Sequence, residues 1–218
     1  MKKTGFMLLG TMVLLLSACE KNSLRGSGDT ISETRTTATF KAVETHYNIK
    51  AVISYGATRE VRVTGYENLL PVVKTEVTDG VLKLTFDEKY STIKNGNVVA
   101  QITVPEIEKA TVHGSGDIEI YNFNNGSRID AHIRSSGNIK IANSRYQSAG
   151  LHINSSGNIS SQTLQAKQAE AFINGSGNIF VSVEDLLKAT INGSGNINYW
   201  GQPVVETEIH GTGRVIRK

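Results

Sequence analysis

The phrase Ile-Asn-Gly-Ser-Gly-Asn-Ile occupies residues 173–179 and, letter for letter, residues 191–197. Two glycines around a serine can cradle a phosphate, help to hold a metal, or turn a corner, where a tight turn wants positive φ and glycine supplies it without a Cβ clash. A phosphate loop needs the glycines to open a helix, with Lys or an acidic residue at a set distance. Here β-branched residues follow, and the chain contains no Gly-Lys-Ser/Thr. A calcium-binding β-roll needs acidic side chains on a nine-residue period. Only Asp117 is acidic at the matching place in the series.

The five histidines are His46, His113, His132, His152 and His210. No two stand at the close spacing of a zinc motif. His132 and His152 fall in one outward column, where a solvated face is the expectation. The acidic residues of the repeat region are Asp117, Glu119, Asp130, Glu170, Glu184, Asp185, Glu206 and Glu208. They recur in no column, so the paired carboxylates of glycoside cleavage are not set up. The expectation is therefore no catalytic residue, no metal ligand and no cofactor. Aromatic rings are the better lead, because sugars stack on them. Tyr121 and Trp200 share a column, and Phe180 lies in another outward one. With the lateral Asn154, Asn174 and Asn192 they form the candidate binding surface, for glycan or for an envelope protein.

Elements must hold these residues in place, and the repeat supplies them. Six copies read VHGSGDIEI, IRSSGNIKI, INSSGNISS, INGSGNIFV, INGSGNINY and IHGTGRVIR. Their shared glycines are Gly116, Gly137, Gly157, Gly177, Gly195 and Gly213. A spacing near twenty residues marks a solenoid. Four residues before the glycine stands Val112 or an Ile, and two after it an Ile or Val215. Alternate residues between these columns are mostly polar, the period of strands on both sides of a glycine corner. One unit cannot bury its apolar face alone, but stacked units bury it against one another. The fold expected is all-β: a right-handed parallel β-helix of about twenty-residue coils, its six copies spanning roughly 25–30 Å at the strand spacing. The Asn that follows the glycine should form a hydrogen-bonded ladder, and the serine column could do the same with its hydroxyls.

Residues 36–109 read as further strands that extend or cap this stack, ahead of the repeats at 110–218. Asp79-Gly80 between VKTEVT and VLKLTF predicts a hairpin with a type I′ turn. Pro71 limits one short helical turn.

The N-terminus reads as an address. A basic start, an apolar run and small residues before Cys19 form a secretory signal over residues 1–18. Leu16-Ser17-Ala18-Cys19 resembles the bacterial lipobox, in which the cysteine is lipidated. Cys19 is the only cysteine in the chain, so it forms no intramolecular disulfide. Residues 19–35 are polar and unpatterned, and read as a flexible tether. Asp29-Thr30-Ile31 resembles a short O-glycosylation motif of Bacteroidetes. The net charge of +3 falls to +1 once Lys2 and Lys3 leave. No basic stripe suggests a nucleic-acid partner. The expected place is the cell envelope, lipid-anchored in the outer membrane, with the periplasmic and surface faces and the oligomeric state left open.

The run YNIKAVISYGATREVRVTGYENLLPVVKTEVTDGVLKLTF, followed by the Ser-Gly-Asn-Ile corners, resembles the bacterial auto-transporter adhesin head GIN domain family, a family without an assigned function. The resemblance covers residue 40 to the C-terminus. It implies a β-helical envelope protein with an adhesive or binding role, often a lipoprotein, and carries over no catalytic residue. A structural envelope module that docks a partner, and a polysaccharide-active enzyme, are the alternatives.

Overall fold

The computed structural model describes residues 22–218. Cys19 and the signal segment lie outside them. The chain forms a β-solenoid in which consecutive coils pair in parallel. On one face, Lys109–Val112 pairs with Gly126–Ile133, and that strand with Ser144–Ile153. The stack continues through the long bent strands Asn158–Gly175 and Asn178–Gly193 to Val204–Gly211. Across the corner, Asp117–Tyr121 pairs with Asn138–Ala142, and the series ends at Asn196–Trp200 and Arg214–Arg217.

Register places like on like. Ile118 stands against Ile139, Ile139 against Ile159, and Ile179 against Ile197. All of these are fully buried, each contributing about 1.5–3 kcal/mol. Ser161 interrupts one apolar column yet is fully buried; its hydroxyl donates to the Phe180 carbonyl at 2.8 Å. The last coil is uncovered, with Ile209 42% exposed against 0% for Ile191 in the same column.

The N-terminal half contains two more coils without the glycine phrase. Ala42–Thr45 and Lys50–Tyr55 flank a corner at residues 46–49, and pair in parallel with Lys109–Val112 and Asp117–Tyr121. Their other edges carry Val81–Phe86 and Val99–Val104. The coil made first in sequence is thus inserted between one made later and the first repeat. Antiparallel strands finish this end: Glu60–Tyr66 on Val99–Val104, and Val73–Thr78 on Val81–Phe86. The hairpin at Asp79-Gly80 is present, with φ of 51° and 75°, as is the short helical turn Leu70–Val72.

Two expectations need correction. The tether does not run to residue 35. Thr30–Arg35 is a strand antiparallel to Glu60–Tyr66, and Ser23–Arg25 pairs with Thr92–Lys94. These strands lack an apolar pattern because they lie at exposed edges and are held mainly by backbone hydrogen bonds. Nor is positive φ the reason for the shared glycine. Among the described glycines with positive φ, the phrase contributes only its first one, at Gly175, Gly193 and Gly211. The shared glycine is fixed by close approach instead: a Cβ on Gly157 would collide with the Gly137 carbonyl one coil away.

Candidate functional site

The repeated phrase is used up by architecture. The Gly175 carbonyl accepts from the N–H groups of Ser194 and Gly195 in the next coil, at 3.0 and 3.3 Å. The Asn column forms the ladder: Asn158 donates its backbone N–H and side-chain amide to Asn138 Oδ1, and Asn178 does the same to Asn158. The serine hydroxyls form no such ladder among the described hydrogen bonds. Ser136, Ser156 and Ser176 are exposed at the corner.

The candidate surface divides across this corner. Tyr121 and Phe180 lie on the face beyond it, with Trp200 at the far end of that face. Asn154, Asn174 and Asn192 lie on the face before it, so the six residues do not form one patch. Tyr121 donates its hydroxyl to Glu119 at 2.7 Å, and Lys140 stands 5.6 Å from its ring centre. Burial pushes the Glu119 carboxyl up, but hydrogen bonds from Lys50 and Tyr121 outweigh it and hold the group below its usual range. A shallow groove joins Lys140, Ser160 and Phe180 to the foot of the Asn ladder.

A deeper groove, of about 570 Å³, opens where the links between early coils splay apart. Its walls are the links 105–108 and 122–125, with Tyr55, Arg128 and Tyr146. Tyr55 is 56% exposed and meets the buried Phe123 edge-on at 6.0 Å. Sequence reasoning missed it, because alternation along Lys50–Tyr55 places Tyr55 on the inward side with Ala51 and Ile53. The strand ends there, and the ring overhangs the groove. The carboxylates around it are ion-paired: Lys41 bridges Glu106 and Glu108 at 3.0 and 3.1 Å, and Arg128 holds Asp130 at 2.7 Å.

Four of the five histidines, all but the exposed His210, are less solvated than expected. His132 and His152 stack with ring centres 4.6 Å apart. Burial first, then the neighbouring His152, pushes the His132 imidazole down to about 4. His46, unremarkable in sequence, stacks on His113 at 4.5 Å. The register that sets Thr45 beside Val112 brings them together. Two groups offer three donor atoms within 4.8 Å of one another: Glu44, His46 and His113, and Asp130, His132 and His152. The first group spans the two halves of the chain, so no local spacing could have signalled it.

The described residues thus form a β-solenoid on which Tyr55 is exposed and Tyr121, Phe180 and Trp200 are partly exposed. The family profile described as "Putative auto-transporter adhesin, head GIN domain" matches residues 39–203, and the chain belongs to that family. Solved structures share the fold. A putative adhesin from Bacteroides fragilis NCTC 9343 is 20% identical with a TM-score of 0.70, over 89% of this chain and all of that one. A putative lipid binding protein from Parabacteroides distasonis ATCC 8503 is 21% identical with a TM-score of 0.54, over 90% of this chain and all of that one. A putative adhesin from Parabacteroides merdae ATCC 43184 is 19% identical with a TM-score of 0.52, over 90% of this chain and 99% of that one. No curated protein matches the chain.

Proposed function

We propose that this protein is a lipid-anchored, non-catalytic binding protein of the bacterial cell envelope, and that its ligand is a glycan. One observation carries the ligand class. The half-exposed Tyr55 ring stands at the mouth of a groove lined by Asn122, Asn124, Asn125 and Arg128. An apolar ring face beside planar amide and guanidinium groups suits a sugar, which has both C–H faces and hydroxyls. Three carboxylates in the groove are engaged by Lys41 and Arg128, which favours recognition over acid–base cleavage. The shallow groove lined by Lys140, Ser160 and Phe180 offers a second, weaker contact. Adhesin membership of the family supports a binding role.

The anchor would be Cys19, four residues before the strand that begins at Ser23. Such a short link would hold the solenoid close to the membrane. Among the described residues no helix is long and apolar enough to cross a membrane. The docking of an envelope partner is a second reading, favoured by the exposed Val204 and Ile209 on the last coil.

A glycan array with the full-length chain, followed by titration of the best ligand, tests the reading. Tyr55→Ala should weaken binding at least about tenfold, or about 1.4 kcal/mol, without a change in melting temperature. No retained glycan, or a Tyr55→Ala variant that binds as wild type, would reject it. Metabolic labelling with palmitate tests the anchor: incorporation should disappear in Cys19→Ser.

A further inference from the structure

We propose that Glu44, His46 and His113 form a binding site for a divalent transition-metal ion of the zinc class. Neither the repeat nor the glycan reading requires it. His132, His152 and His210 lie on one strand face, and His46 and His113 stand just past its strands, where the corner begins. Two form a pair with uncommitted donors. The Nε2 atoms of His46 and His113 are both buried, and neither has a hydrogen-bond partner. Glu44 Oε2 stands 3.6 Å from His113 Nε2. The donor atoms of all three side chains lie within 4.8 Å of one another. Two imidazoles and one carboxylate form a common zinc donor set, with a fourth position left for solvent or a ligand atom.

Burial pushes both imidazoles down, and His113 lowers His46 further; for His113 the nearby Glu44 acts in the opposite direction. The rings lie 3° from parallel with centres 4.5 Å apart, so an ion between them cannot lie in both ring planes at once. Capture of an ion needs one ring to tilt until the two nitrogens are about 3.3 Å apart, the separation set by tetrahedral zinc. Lys83 and Arg134 stand close enough to depress the His113 imidazole and would also oppose a cation. These two features point to micromolar affinity.

The group of Asp130, His132 and His152 is the weaker candidate. Arg128 already engages both carboxylate oxygens of Asp130, at 3.0 Å each from Nε. No equivalent cation holds Glu44 among the described ion pairs.

The test is titration of the metal-free full-length chain with zinc alone, in competition with a chromophoric chelator, and with cobalt for its visible absorption bands. One equivalent should bind with micromolar affinity, and cobalt should give the intense bands of a four-coordinate site. His46→Asn, His113→Asn and Glu44→Gln should each weaken binding at least tenfold, with unchanged melting temperatures in chelator. A paired His132→Asn and His152→Asn variant should keep the site. Absence of zinc binding at tenfold molar excess would overturn the proposal. So would wild-type affinity in all three single variants, or loss of the site only in the His132/His152 pair.

Discussion

Asn138 Oδ1 accepts two hydrogen bonds from Asn158 one coil on, at 3.1 Å from the backbone N–H and 3.3 Å from the side-chain amide. The relation repeats up to Asn196, whose Oδ1 accepts from the Arg214 N–H. It starts at Asp117, where a carboxylate suffices, because the Lys50 side chain before it offers no acceptor. Removal of an inner rung leaves polar groups without partners on both sides. Asn178→Ala should therefore cost about 1–3 kcal/mol, while Asp117→Asn should stay within about 0.5 kcal/mol. Urea unfolding of the two variants against wild type measures both.

The shared glycine is a matter of space, and that sets an order among substitutions. At Gly157 a Cβ meets the backbone of the coil below, which moves only with the whole stack. Gly157→Ala should cost about 1–3 kcal/mol or more. At Gly80 a Cβ meets nothing within 4 Å, and only the φ of 75° is strained. Gly80→Ala should cost about 1 kcal/mol. Equal shifts in urea midpoint would contradict the close-approach account.

The same apolar column should weaken from the interior outward. Ile191 is fully buried and Ile209 is 42% exposed, although they are partners in register. Ile191→Ala should cost about 2–5 kcal/mol. Ile209→Ala should cost clearly less, because part of its surface stays in water. Thermal unfolding of the pair distinguishes an uncovered last coil from a covered one.

Acid should loosen the stacked His132 and His152 before it titrates most carboxylates. Unfolded, each imidazole has its ordinary value near 6.5. Folded, burial holds both lower, His132 at about 4. The unfolded chain then binds more protons across this window, so stability is whole above pH 6.5 and falls as pH drops toward 4. Asp130 and Glu170 oppose the depression, and Lys109 reinforces it. Because the rings are only half-buried, solvent screening limits the loss to about 1 kcal/mol. Melting temperatures between pH 7 and pH 4.5 should show it, and a His132→Asn/His152→Asn variant should give a flatter profile.

The repeat region was legible because one register error would turn every isoleucine outward; the sequence had to write its columns openly. The six corners and the Asn ladder follow from that constraint. The coil at residues 42–55 was not legible as a coil, since its corner is His46-Tyr47-Asn48-Ile49. There Tyr47 takes the positive φ, at 56°, and no glycine phrase announces the turn. The strands within residues 23–35 were missed because an exposed edge needs no apolar alternation. Of the candidate surface, Phe180 borders a shallow groove, and Tyr121 stands beside its Lys140 wall. Tyr55 was invisible because its place depends on where a strand stops, and the Glu44–His46–His113 group because it joins segments about 70 residues apart.

The insertion of the coil at residues 42–55 between Val81–Phe86 and Lys109–Val112 means that this coil is synthesised before either strand that covers its edges. It emerges with both edges unpaired and must wait for two later segments. The stack at this end is complete only once both later segments are in place. The repeats after it can be laid down one at a time, each on a finished template. Loss of a terminal repeat shortens the protein, whereas loss of the segment 81–104 uncovers the coil at residues 42–55 on which the first repeat is laid.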